Sequence, residues 1–116
     1  MTNYSDMTNE QLDKAVAKMM GWKRATDGDW NTYWVDKDNK FQKDIYDWYP
    51  SIDILHALEV MNQMIADGYD VFISHDQLAQ NDWEVYFNDY YLVDHALPRA
   101  ICIASLIAKE SEEKDE

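Results

Sequence analysis

Read as a string of apolar and polar positions, the chain falls into segments of two periods. Near the start, Leu12, Ala15, Val16 and Met19 recur at helical spacing. Thr8 with Gln11 three residues on forms the opening of a capping box, and Gly21 supplies a left-handed stop, with Trp22 placed to fold back on Val16 or Ala17. Residues 30 to 35, rich in rings and β-branched side chains, predict a strand with Trp30 and Trp34 facing inward, followed by a turn over residues 36 to 39. Pro50 and Ser51 predict the start of a second helix, with Ser51 as the N-cap and Asp53 in its first turn. Its apolar stripe reads Ile54, Leu58, Met61 and Ile65, and Gly68 ends it. Residues 69 to 74 and 83 to 87 alternate as half-buried strands, with Trp83, Val85 and Phe87 inward. Asn88-Asp89 suits a two-residue hairpin turn into a further strand over residues 90 to 93. Pro98 opens a last helix, apolar nearly all round and therefore expected to be covered by other elements.

The predicted order is α-β-α-β-β-β-α. It implies an α/β sandwich of the α+β type, an antiparallel sheet carrying helices on its faces. One domain over residues 8–109 is expected, after an extension over residues 1–7 and before an acidic, disordered tail over residues 110–116. A length of 116 residues with 47% apolar composition supports a core.

Three short stretches share more than pattern. "MGW" (Met20 to Trp22), "PSIDILHALEV" (Pro50 to Val60) and "PRAICIA" (Pro98 to Ala104) resemble, in order and separation, three markers of the phage ABA sandwich domain. The resemblance implies a small α/β sandwich from a phage or prophage, and it brings no catalytic role with it.

Charge changes the picture most. The net charge is −13, beyond the magnitude of about 2 to 8 that solubility asks of a small domain. No Lys or Arg lies between Lys43 and Arg99, and eleven carboxylates from Asp44 to Asp94 fill that interval. Such a surface repels a polyanion, so direct nucleic-acid binding is excluded. The single cysteine, Cys102, gives no disulfide framework, and the start lacks a basic and apolar leader, so a reducing cytoplasm, that of a bacterial host, is expected. No apolar run approaches the roughly 20 residues of a membrane span.

Chemistry gives little. Three scattered glycines make no phosphate cradle, no serine sits in a nucleophile elbow, and Cys102 stands between Ile101 and Ile103 on an apolar helix, where a thiol is inert. Asp53 with His56, His75 with Asp76, and Asp94 with His95 would have to converge from three elements to bind a metal. Asp27, Asp29, Asn31 and Asp38 fall at positions one, three, five and twelve of a calcium loop, but Thr32 replaces its glycine and Asp38 its glutamate. The expectation is therefore no catalysis, no cofactor and no metal.

Rings and acids remain to be explained. Sixteen aromatic side chains exceed what one small core can hold, and exposed rings beside carboxylates make a protein-recognition surface. Asp44, Asp47, Trp48, Tyr49, Asp76, Asp82, Glu84, Tyr86, Asp89 and Tyr90 are the candidate partner-binding residues. Alternate strand positions such as Asp82 and Glu84 stand about 6.7 Å apart, near the spacing of successive phosphates. The expected partner is a basic, nucleic-acid-handling host protein such as a CRISPR effector, which this chain would inhibit as a nucleic-acid mimic. The alternative is a structural or accessory phage protein that self-associates or joins an assembly.

Overall fold

The computed structural model describes residues 3–76 and 81–114. After a single 3-10 turn, Tyr4–Asp6, come helix α1 (Asn9–Met19), strands β1 (Lys23–Thr26), β2 (Thr32–Val35) and β3 (Phe41–Asp44), and helix α2 (Ile54–Ala66). Strands β4 (Val71–Asp76), β5 (Asp82–Phe87) and β6 (Tyr90–Asp94) follow, then helix α3 (Leu97–Lys114). The expected α+β sandwich with antiparallel strands is what forms, but its strands divide into two three-stranded sheets, β1-β2-β3 and β4-β5-β6.

The local starts and stops follow the chain's capping chemistry. Thr8 and Gln11 close both halves of the capping box on α1. Gly21 takes φ +84°, and the Trp22 N–H returns to the Ala17 carbonyl at 3.0 Å. On α2 the cap is Asp53 rather than Ser51: its carboxylate accepts from the Leu55 and His56 N–H groups at 2.8 and 3.2 Å. Ser51 is buried one turn earlier, donating its N–H to Asp13 at 2.9 Å. The buried face of α2 is Ala57, Val60 and Met64, not the bulkier stripe expected, and Ile54 and Ile65 are exposed. The small side chain of Ala57 packs in one cluster with Ala100 and Ala104 of α3, which favours close helix approach over bulk.

Two of the six strands among the described residues, and one bend, went unread in the sequence. β1 and β3 are four-residue, polar strands with no apolar alternation. Trp30, expected inside a strand, lies in the turn before β2 with φ +72° and is 90% exposed. Asp27 bends the chain there, accepting from the N–H groups of Asp29 and Asn31 at 2.8 and 3.2 Å. The register with β3 shifts between Trp34 and Val35, so both of these consecutive residues are buried.

α3 is the spine. Cys102, Ile103 and Leu106 pack with Leu12, Val16, Trp34 and Trp48, while Ile101, Ala104 and Ala108 pack with Met64, Val85 and Phe87. Met19 and Leu92 touch both clusters and join them. The helix continues five residues past its expected end at Lys109, to Lys114. Glu112 accepts from the Tyr69 hydroxyl, and Lys109 lies 5.3 Å above the Tyr69 ring and 2.9 Å from Asp67. The stretch expected as a disordered tail is therefore helical to Lys114, and residues 115–116 lie outside the described residues. The described part of the N-terminal extension is pinned by Arg99, whose guanidinium donates to the carbonyls of Ser5 and Met7 and to the Asn9 side chain.

Candidate functional site

Antiparallel pairing decides which side chains of β4, β5 and β6 share a face. The two-residue turn at Asn88-Asp89, with Asn88 at φ +54°, sets Phe87 opposite Tyr90 and Tyr86 opposite Tyr91. Asn88 also clamps the turn to the entry of β4, exchanging hydrogen bonds with the Asp70 backbone at 2.8 and 2.9 Å. One face carries Val85 and Phe87, both wholly buried against α3. The other carries Phe72, Tyr86 and Tyr91 as one cross-strand row, and Ser74, Glu84 and Val93 as the next. Asp76 faces Asp82 at the end of the β4–β5 pair.

The ring row is a packed unit open to solvent. Phe72 and Tyr86 meet edge to face at 5.8 Å, and Tyr86 stacks on Tyr91 at 5.2 Å. Phe72 is 62% and Tyr91 56% exposed, and Val93 beside them is also exposed. The Tyr86 hydroxyl donates to Glu84 at 3.2 Å. Desolvation and the Glu84 carboxylate push this phenol above its ordinary value. No Lys or Arg occurs in any of the three strands.

The ten candidate residues divide between two places. Asp76, Glu84 and Tyr86 share the outer face of β4–β6, and Asp89 is exposed at its turn. Asp44, Asp47 and Tyr49 lie at the end of β3 and the loop that follows it. Three of the ten need correction. Trp48 is 4% exposed, packed 4.6 Å from Trp22 and stacked on His56, and its buried indole N–H has no acceptor among the described residues. Tyr90 stands opposite Phe87 on the inner face and packs into the core, because a two-residue turn puts the even member of the Tyr90-Tyr91 pair inward. Asp82 is 8% exposed, its Oδ1 buried against the His95 imidazole without an aligned hydrogen bond among the described residues, so it cannot act with Glu84 as a free phosphate-like pair. Phe72, Tyr91 and Val93 were missed, although the turn at 88–89 fixes the register that puts Tyr91 beside Tyr86.

The residues weighed for other chemistry have structural duties. Asp27 holds the β1–β2 turn and is kept below the ordinary carboxylate value by the Asn31 side chain foremost. His56 accepts the Tyr49 N–H on Nδ1, and the His75 ring lies 4.5 Å from Trp83. Among the described residues no group of three His, Cys, Asp or Glu is placed to hold a metal ion. Cys102 is wholly buried, and that burial pushes its thiol pKa far up. No helix among the described residues is long and apolar enough to cross a membrane.

Helices and paired strands in this order bear directly on ancestry, and the phage ABA sandwich domain matches residues 14–106. The chain belongs to that family. The match takes in all six strands, α2 and most of α1 and α3, and with them the whole β4–β6 face. No curated protein and no solved structure matches the chain. At this level it is a small protein of a phage domain family.

Proposed function

We propose that this phage ABA sandwich protein is a non-catalytic binding domain whose β4–β6 outer face seats on a Lys/Arg-rich surface of a host protein. Its sharper form is an inhibitor that occupies the basic surface of a nucleic-acid-handling machine, as an anti-CRISPR or other anti-defence protein would. One observation carries the reading: Phe72, Tyr86 and Tyr91 form a packed ring row, exposed at Phe72 and Tyr91, beside Glu84 and Asp76, on three strands without a single Lys or Arg. Packed rings give rigid contact area at low entropic cost, and carboxylates beside them steer encounter with a cationic surface. Withdrawal of Asp82 into its pair with His95 weakens the literal phosphate ladder, so shape and charge of the face matter more than one spacing.

Immobilised full-length chain is exposed to bacterial host lysate, washed at low salt, and eluted either by salt or by duplex nucleic acid. The captured protein is then purified and its association rate measured against salt. A basic protein displaced by nucleic acid is expected, and Phe72→Ala with Tyr91→Ala should release it. Retention of the partner by that double variant, or a homo-oligomer that captures nothing, sinks the reading and favours an assembly role, with β4 and β6 the edge strands of the sheet.

A further inference from the structure

A second surface lies away from the β4–β6 face. Between α1 and the β3–α2 loop runs a groove of about 450 Å³, within the roughly 300 to 1,000 Å³ range of ligand pockets. Trp34 and Trp48 contribute buried rings to its lining, Tyr46 and Tyr49 exposed ones, and Asp13 and Glu10 carboxylates. We propose that this groove receives an arginine side chain from an exposed segment of the partner protein. The proposal rests on the reading above that the partner is basic, and it adds a specific pocket to it.

The chemistry of the lining selects a cation. Trp34 and Trp48 form the buried floor, and the exposed faces of Tyr46 and Tyr49 are the ones that attract positive charge, most strongly where water is displaced. Asp13 is half-buried, takes its hydrogen-bond donation from Ser51, and forms no ion pair with Lys or Arg among the described residues. Burial holds its carboxyl above the ordinary value against that donation. Lys14, the cation at the groove, stands 3.3 Å from Glu10 and is neutralised there. An apolar side chain in the groove would desolvate Asp13 further and give it nothing in return. A nucleotide would bring phosphate toward the Asp13 carboxylate, Glu10 and Lys14 offsetting each other, on a chain of net charge −13, and a second copy would bring the same charge again. Between the two cationic side chains, the guanidinium is planar, weakly hydrated and able to stack on a ring while donating to a carboxylate, which an ammonium does less well.

The test uses the ¹⁵N-labelled full chain titrated with the peptide acetyl-Gly-Arg-Gly-amide, its lysine counterpart, and its citrulline counterpart, which keeps the shape and loses the charge. The arginine peptide is expected to shift the Trp48 indole and the Asp13, Tyr46 and Ser51 amides, the lysine peptide to bind several-fold more weakly, and the citrulline peptide to leave them in place. Asp13→Asn, which keeps an acceptor for the Ser51 N–H, should weaken binding roughly tenfold, as loss of a partly desolvated charge contact does. Tyr46→Ala, at a side chain 88% exposed and hence harmless to folding, should weaken it at least threefold. Equal binding of the citrulline peptide, or of Asp13→Asn, overturns the proposal, and equal binding of the lysine peptide overturns the arginine assignment. Shifts confined to β4, β5 and β6 remove the groove while the basic-partner reading stands. No shift anywhere at tens of millimolar peptide removes both.

Discussion

The two sheets share a topology and are built in opposite ways. β1–β3 uses four-residue strands that carry Lys23, Arg24 and Lys43, and only Trp34 and Val35 among its residues are buried. Its turns are tied by carboxylates: Asp27 collects Asp29 and Asn31, and Asp36 collects Asp38, Lys40 and Gln42. β4–β6 uses strands of five and six residues, without Lys or Arg, laid on α3 through Val85 and Phe87. The first sheet is held at its corners and by one ring, the second along its whole inner face. That difference is why the second can leave Phe72 and Tyr91 exposed on its far side, with Tyr86 half-buried between them, and still be ordered.

The largest expected effect is on what the two sheets have in common. Ile101 is wholly buried on α3, the helix that carries both clusters. Ile101→Asp places an unpaired carboxylate there at a cost of several kcal/mol, which should abolish folding of both halves. Circular dichroism and amide dispersion would report it, and a variant with one sheet still folded would show the halves to be independent.

Next come the anchors of each sheet. Phe87→Ala and Trp34→Ala should each cost about 3 to 5 kcal/mol in chemical denaturation. The pattern of amide exchange should differ. Loss of Trp34 removes the main tie of β1–β3 to the core, so its amides should open locally ahead of global unfolding. Loss of Phe87 should lower protection throughout, because β5 is the central strand against α3. Identical exchange patterns in the two variants would erase the contrast.

The same contrast explains what could be read from the chain. Residues 83 to 87 and 90 to 93 alternate, and α1 announces its cap at Thr8, so those elements and the sandwich class were legible. Lys23–Thr26 and Phe41–Asp44 do not alternate, because their strands are fixed by turns and neighbours rather than by a buried stripe. Of the candidate site, Glu84, Tyr86, Asp76 and Asp89 were found from charge and ring content. Trp48 was misplaced because ring content does not say which ring a loop turns inward, and Tyr90 because one residue of register decides its face.

A smaller effect tests that register. Phe72→Ala and Tyr91→Ala on the outer face should change stability by no more than about 0.5 kcal/mol each, while Tyr90→Ala, one residue away and facing the core, should cost clearly more in the same denaturation series. Equal costs for Tyr90 and Tyr91 would mean that the outer face is covered.

The smallest effect is local and separates the sheets by pH. Asp27 and Asp36 are held below 3.8, by the Asn31 side chain and by the Lys40 N–H respectively. Carboxylates with depressed folded values contribute stability that is present above the ordinary value and lost as pH falls through the folded one. Below about pH 4 the turns of β1–β3 should therefore loosen. Tyr86, raised above 10.0 by desolvation and by Glu84, works at the other end. Tyr69, raised by burial and by its bond to Glu112, joins it beside β4. Their contribution is whole below pH 10 and lost as pH rises through the raised values, so alkali should loosen β4–β6 and the start of β4 first. Asp13, raised by burial, runs against the acid trend, since its contribution is lost as pH rises, and Asp13→Asn removes that opposition. The measurement is residue-resolved: amide shifts of Asp29, Asn31, Asp38 and Lys40 against those of Glu84, Tyr86 and Tyr91 across both pH limits. Asp27→Asn with Asp36→Asn should abolish the acid response of the first set, and Tyr86→Phe should blunt the alkaline response of the second. Two sheets that respond in step at both limits would mean that the carboxylate turns do not hold β1–β3 apart from the rest.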